Sequence, residues 1–300
     1  MIHLFNEDGN TLDVVKMNGN SLVFSSLRQF YEPVKSEGFA IKYVVEGIER
    51  YQLNGHSYPI AAGDYLLTND TCEGKVEVDE NRNVKGICIN ISPRLIAEVI
   101  AGWKRPDTAF SDAELGNFFV SAHFFESGYR DNETQLGHYL RQLTATVRSG
   151  LAEQDSISDE FFYTIAEKII QDQLPVFRHL RAIPGVKPDT RKDLYRRVQK
   201  GRDYINACFM LPLSIKTIAQ EACLSEYHFY RLFKAVFGMS PNQYIIKKRL
   251  EFGKSILLQH RYAVSEAATQ SGFADIHTFS KAFKRYFGFP PSAFLKGKRT

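Results

Sequence analysis

Cysteine is scarce in this chain. There are four in 300 residues, Cys72, Cys88, Cys208 and Cys223, and no two form a Cys-x-x-Cys pair. That spacing excludes the usual zinc and dithiol motifs, reads as small buried residues, and suits a reducing compartment. Long apolar runs are missing as well, and none approaches the ~18 residues a membrane span needs. The opening stretch, MIHLFNEDGN, has no basic segment followed by an apolar one. No secretory signal and no membrane partner are therefore expected, and the cytoplasm is the expected location.

Acidic residues are scarce in the last third. From Lys187 onward there are 21 Lys and Arg against 8 Asp and Glu, a net +13, whereas residues 1–186 carry 17 against 26, a net −9. A cationic segment joined to an anionic one points to a nucleic-acid-binding domain fused to a part with another task.

The hydrophobic pattern divides the chain similarly. Residues 2–92 hold short β-rich pieces (FAIKYVVEG, ERYQLNGHSYPI, GDYLLTND, KVEVD, NVKGICINIS) separated by Gly, Asn and Asp. This spacing predicts a sandwich or small barrel, with a hairpin at Asn54-Gly55. After Pro93 apolar residues recur at intervals of three and four, through RLIAEVIAGW, DAELGNFFVSAHFFESG, ETQLGHYLRQLTATVRSGLAE and DEFFYTIAEKIIQDQLPVFRHL. That period predicts helices. AIPGVKPDT, residues 182–190, holds two Pro and one Gly and reads as a linker. The expected organisation is a β domain over 1–93, a helical region over 94–182, and an all-helical domain over 190–300.

The last domain contains a repeat. Phe229, Phe233, Phe237-Gly238 and Pro241 match Phe279, Phe283, Phe287-Gly288 and Pro291 at an offset of 50. Upstream the offset is 49, pairing Ala219 with Ala268 and Cys223 with Gly272. Each copy reads as a short amphipathic helix, a tight turn, and a longer helix opened by Ser225 or Asp275, which is the grammar of helix-turn-helix. Gly272 suits a turn with positive φ, and Cys223 suits it less well.

At about 100° per residue, Phe229, Leu232, Phe233 and Val236 share one face of the first longer helix. Phe279, Ala282, Phe283 and Tyr286 share one face of the second, and both faces are expected to be buried. Tyr227, Arg231 and Lys234 point the other way, flanked by His228 and Tyr230. His277, Lys281 and Lys284 do the same in the second copy, flanked by Thr278, Ser280 and Arg285. A helix seated by grease and presenting donors suits a major groove ~12 Å wide. The candidates for base contact are Tyr227, His228, Arg231, His277, Thr278 and Lys281. Those for phosphate contact are Ser225, Tyr230, Lys234, Ser280, Lys284 and Arg285. Glu226 could accept from cytosine or serve only the helix N-terminus. Between the copies, PNQYIIKKRLEFGKSILLQ reads as one continuous helix opened by Pro241 and about 27 Å long. RKDLYRRVQKGRDYINACF reads as a support helix ahead of the first copy.

LSEYHFYRLFKAVFGMSPNQYIIKKRL and GFADIHTFSKAFKRYFGFPPSAFL, within residues 190–300, resemble the two helix-turn-helix signatures of the AraC/XylS family of bacterial transcription regulators. Gly253, Ala267 and Pro290 depart from the family pattern. Gly253 stands in the connecting helix where Ala is usual, at an expected cost of about 1 kcal/mol. YVVEGIERYQLNGHSYPIAAGDYLLTN resembles the cupin-like sensor domain of the same family. The resemblance implies double-stranded DNA and RNA polymerase as partners, usually activation, and a homodimer formed through the helices after Pro93. FFYTIAEKII and LGHYLRQLTATV are the candidate segments, unless they pack within their own domain. It also implies a small-molecule effector pocket in the barrel, or none, with Phe39, Tyr43, Tyr51 and Tyr58 as candidate lining.

Two other readings compete. A metal-dependent cupin enzyme with an accessory DNA-binding domain needs a His-x-His pair, a Glu and a later His. The matching stretch, IKYVVEG, has no His pair, and His56 reads as a hairpin residue, so no metal, no cofactor and no catalysis are expected. A module docking on an acidic protein or a membrane would need one basic stripe, not two phased copies with scaffold helices.

Overall fold

A computed structural model describes residues 11–34, 38–103, 110–148, 158–185, 187–259 and 262–292. The chain falls into two compact units, residues 1–177 and 178–300. No helix among the described residues is long and apolar enough to cross a membrane.

The first unit is an antiparallel β domain with helices. Its strands are β1 (Thr11–Met17), β2 (Asn20–Val34), β3 (Phe39–Glu46), β4 (Ile48–Leu53), β5 (His56–Ala61), β6 (Asp64–Thr68), β7 (Gly74–Ile91) and β8 (Ser127–Arg130). They form one antiparallel sheet in the order β1-β2-β7-β3-β6-β8, and β4 pairs with β5 and β7. The long β7 is the spine. Its first part pairs with β4, its last part pairs with β3, and β2 runs beside both. Asn54 and Gly55 take φ of 49° and 79° and close the β4–β5 hairpin, as their sequence predicts.

Alternation along the strands sorts the side chains onto two faces. Phe39 packs edge-on against Phe119 and Phe124, each at 5.6 Å. Tyr43 donates to Asp131 at 3.1 Å. On the other face Val44, Tyr51, Leu53, Ile60, Leu66, Val76 and Val78 join one apolar cluster.

The helices of this unit are α1 (Pro93–Gly102), α2 (Asp112–Phe119), α3 (Gln135–Arg148) and most of α4 (Asp159–Arg181), whose last four residues belong to the second unit. Ser92 caps α1, and Ser111 with Glu114 makes a reciprocal capping box on α2. The expected continuous helix from Asp112 to Gly128 is not formed. α2 stops at Phe119, and Ser127–Arg130 instead pairs with β6, stacking Tyr129 on Tyr65 at 5.3 Å. Phe118, Phe119, Phe124 and Phe125 are all buried, so their spacing reports burial and does not tell a helix from a helix followed by a turn and strand. In α3 and α4 the faces proposed for dimerisation hold Leu136, Leu140, Phe162, Ile165 and Ile169, which are buried.

The second unit is helical throughout its described length: α5 (Pro188–Cys208), α6 (Ile215–Glu221), α7 (Glu226–Phe237), α8 (Pro241–Leu258), α9 (Val264–Gln270) and α10 (Ile276–Phe287). α5 packs on α6 and α7, and α8 packs on α9 and α10. The repeat is therefore a three-helix lobe used twice, and α8 is both the connection and the first helix of the second lobe. Glycines mark this equivalence. A Cβ on Gly201 would lie 2.4 Å from the Phe229 ring, and one on Gly253 would lie 2.8 Å from the Phe279 ring. Gly253 is thus not merely a weak helix residue. It leaves room for the ring that seats α10, and overpacking there would cost about 1–3 kcal/mol, at least the helix-propensity gain of an Ala.

The two turns use the same bonds. Leu224 N–H donates to Ala219 O at 2.9 Å, and Phe273 N–H donates to Ala268 O at 3.0 Å. The residue before each is left-handed, Cys223 at φ 52° and Gly272 at φ 84°. A side chain in that region costs about 1–2 kcal/mol. Cys223→Gly is expected to stabilise the helical unit by about 1 kcal/mol, measured by denaturant titration.

Candidate nucleic-acid interface

α7 and α10 are built alike. Ser225 Oγ accepts from the His228 N–H at 3.3 Å, and Asp275 Oδ1 accepts from the Thr278 N–H at 2.7 Å. Each helix ends on a left-handed glycine, Gly238 or Gly288, whose N–H donates four residues back to Lys234 or Lys284 at 2.9 Å. Phe229 and Phe233 are fully buried in the first copy, as are Phe279 and Phe283 in the second. The ring-to-ring separations repeat, 5.4 Å within each pair. These rings fix the rotation of each helix, and so which residues face outward.

The outward faces carry most of the residues expected there. Tyr227, His228, Tyr230, Arg231 and Lys234 are exposed on α7, and His277, Thr278, Lys281, Lys284 and Arg285 on α10. Ser280 is half-buried, and Ser225 is exposed at its cap. Tyr227 is 72% exposed, and the Arg231 guanidinium lies 5.5 Å from its ring centre. That contact steadies a planar fork suited to two adjacent acceptors. Thr278 is less free. Its hydroxyl donates to Asp275 Oδ2 at 2.9 Å, leaving its methyl and lone pairs outward. These hydrogen bonds hold the exposed Asp275 carboxyl below the usual carboxylate range.

Tyr286 corrects an expectation. It is 46% exposed and its hydroxyl lies 3.5 Å from Glu251 on α8, so the buried stripe of α10 narrows to Phe279 and Phe283 with Ala282 at its edge. Unlike Val236, its counterpart in the first copy, tyrosine carries a hydroxyl that needs a partner.

α8 is held at its start and at its middle. Ser240 and Gln243 form a reciprocal capping box at its start. Arg249 donates to Phe209 O at 2.6 Å and Leu211 O at 2.8 Å, tying the α5–α6 loop to α8.

The β unit offers a separate site. A cavity of about 260 Å³ lies among β2, β3, β4 and β7, and Ser25, Phe30, Lys42, Glu49, Tyr51 and Cys88 are in its wall. Of the four expected lining residues, Tyr51 lines it. Tyr58 packs against the neighbouring apolar cluster, while Phe39 and Tyr43 point to the opposite face of the sheet. Sequence reading missed Lys42, Glu49 and Cys88. The available signal was a lysine inside an otherwise apolar strand, FAIKYVVE. His56 sits at the start of β5, ring to ring with Tyr58 at 6.5 Å. No group of three His, Cys, Asp or Glu side chains among the described residues could hold a metal ion.

Comparison with known proteins matches both units. A family model described as an AraC-like ligand binding domain covers residues 26–164, and one described as a helix-turn-helix domain covers residues 218–297. The Msm operon regulatory protein of Streptococcus mutans is 22% identical over 269 residues, covering 89% of this chain and 87% of that protein. The raffinose operon transcriptional regulatory protein RafR of Pediococcus pentosaceus is 36% identical over 164 residues, covering 55% of this chain and 57% of that protein. Among solved structures, the C-terminal domain of AraT, a response regulator from Geobacillus stearothermophilus, is 27% identical, with a TM-score of 0.33, covering 35% of this chain and 87% of that one.

Proposed function

We propose that this chain is a DNA-binding transcriptional regulator of the AraC type, with a ligand-binding domain ahead of its helix-turn-helix domain, and that it reads DNA as follows. α7 and α10 enter successive major grooves on one side of a duplex, ~34 Å apart, with α8 as the spacer. Arg231 and Lys281 address guanine edges. Tyr227, His228, His277 and Thr278 meet other base edges or thymine methyls. Lys234, Lys284, Arg285, Ser225, Tyr230 and Ser280 hold phosphates, which set position without specifying sequence. The protein acts in the cytoplasm as a homodimeric activator that engages RNA polymerase, and its β domain senses a small molecule without catalysing a reaction.

One observation carries this reading: two helices with matching caps, matching buried ring pairs and matching cationic outward faces, each in its own three-helix lobe. A solvated basic face needs no such duplication.

Arg231→Ala tests it. The side chain is exposed, so thermal stability should change little. Discrimination between a selected duplex and a scrambled one should fall by about 1–3 kcal/mol, with relaxed preference at one base pair. An unchanged ratio of the two affinities would remove Arg231 from the base-reading set.

A further inference from the structure

The two lobes of the helical unit repeat one another, and two of the places where they differ lie together. Gly201 and Gly253 hold the same place in α5 and α8, so Arg197 corresponds to Arg249, four residues ahead of the glycine in each helix. Both arginines donate to main-chain carbonyls. Arg197 reaches Cys223 O at 3.0 Å, in the turn of its own lobe. Arg249 is directed to the other lobe, with Nε donating to Phe209 O at 2.6 Å and Nη2 to Leu211 O at 2.8 Å.

The two turns differ to match. Cys223 is exposed and carries its side chain at φ 52°. A Cβ on Gly272 would lie 2.6 Å from Met210 O and 3.0 Å from Met210 Cα. The main chain of residue 210 therefore rests on the second turn. A left-handed φ alone does not demand glycine here, since the first lobe adopts it with cysteine; the loop pressed against Gly272 does. Phe209 also packs edge-on against Phe252 of α8 at 5.5 Å. Met210 and Leu211 are 44% and 59% exposed, so their main chain, not their side chains, makes the contact. Burial holds the Arg249 guanidinium below its usual range. An aliphatic side chain would escape that cost, but it could not supply the fixed fork of donors that grips two carbonyls.

α8 meets the first lobe near its start as well. The Tyr244 ring lies 5.5 Å from Phe233, and its hydroxyl donates to Asn206 at 3.1 Å. One attachment leaves a pivot, and a second at Arg249 fixes an angle. A swing of about 10° along the ~27 Å of α8 would move its far end by about 5 Å, more than the ~3.4 Å between base pairs.

We propose that residues 209–211 form a clasp, gripped by Arg249 and seated on Gly272, that fixes the separation at which α7 and α10 can read one duplex. Arg249 is then a positioning residue for DNA recognition, acting through α10 and not by contact with a base. The proposal rests on the reading of α7 and α10 as paired recognition helices.

Binding of the 300-residue chain to duplexes that keep both selected blocks, with their centres moved one, two or three base pairs closer or further apart, tests it. A change of one base pair should cost wild type roughly tenfold or more, the loss of one good base contact, and Arg249→Met about threefold or less. Base preferences within each block should stay unchanged. Arg249→Lys, which keeps a donor, should fall between the two. Gly272→Cys gives the second turn the side chain of the first and should relax spacing as Arg249→Met does, whereas Cys223→Gly should leave it as in wild type. A merely destabilised protein would bind every spacing more weakly by one common factor, so the ratio between spacings separates the clasp from the fold. Should the variants fail to fold, wild type still decides. Spin labels carried by unnatural amino acids at the exposed positions Gln220 and Gln270 should give one narrow distance distribution without DNA. A broad distribution, or a wild type that accepts every separation, would overturn the clasp. An Arg249→Met protein as strict about spacing as wild type would overturn it too and leave the paired reading intact. A wild type that reads a single block would overturn both.

Discussion

Phe233→Ala is expected to cost about 3–5 kcal/mol of the stability of the helical unit and to abolish DNA binding with it. The Phe233 ring is fully buried and lies 5.4 Å from Phe229, 4.6 Å from Phe237 and 5.5 Å from Tyr244. Truncation leaves a cavity beneath α7 and removes three ring contacts at once. Domains of this kind have only about 5–15 kcal/mol in reserve, so the loss is a large share. Tyr227→Ala is the contrasting variant. Its ring is 72% exposed, so stability should stay within about 0.5 kcal/mol while DNA affinity falls. Denaturant titration followed by helical circular dichroism, paired with a duplex-binding assay, separates the two. A Phe233→Ala protein that unfolds at the wild-type midpoint would contradict the role given to the buried ring pairs.

The second large effect is on salt. The segment from Lys187 onward carries a net +13, and part of that charge sits on the outward faces of α7 and α10, at the expected groove surface. With about 6–10 phosphates neutralised, affinity should fall by about 10³–10⁵ between 50 and 200 mM salt. Lys284→Ala should reduce the slope of log affinity against log salt by about one and weaken all duplexes alike. Arg231→Ala should weaken the preferred duplex more than others. A salt slope near zero would mean that the cationic faces do not meet the phosphate backbone.

Much of the helical unit was legible because its signals are local and duplicated. Phe at intervals of four, Ser or Asp at the caps and Gly at the helix ends each report a backbone requirement nearby. What escaped reading depends on distant partners. Gly201 and Gly253 look like propensity defects until Phe229 and Phe279 are seen against them. Tyr286 has the right phase for burial, and its hydroxyl takes it outward toward Glu251. β8 was hidden because buried Phe residues at 118, 119, 124 and 125 imitate a helical period. Lys42 was visible in its strand, but its meaning needs Glu49 and Cys88 from two other strands. Phe39 and Tyr43 do not line this cavity for the complementary reason: parity along β3 puts them on the face opposite Lys42.

The central claim is that two matched helices read one duplex together. Selecting bound sequences from a pool of random duplexes with the 300-residue chain, followed by deep sequencing, tests it directly. The account predicts an enriched site with two short conserved blocks whose centres lie about one helical turn, roughly 10–10.5 base pairs, apart. Enrichment of a single block that Lys281→Ala and His277→Ala leave untouched, or of no motif at all, would contradict it.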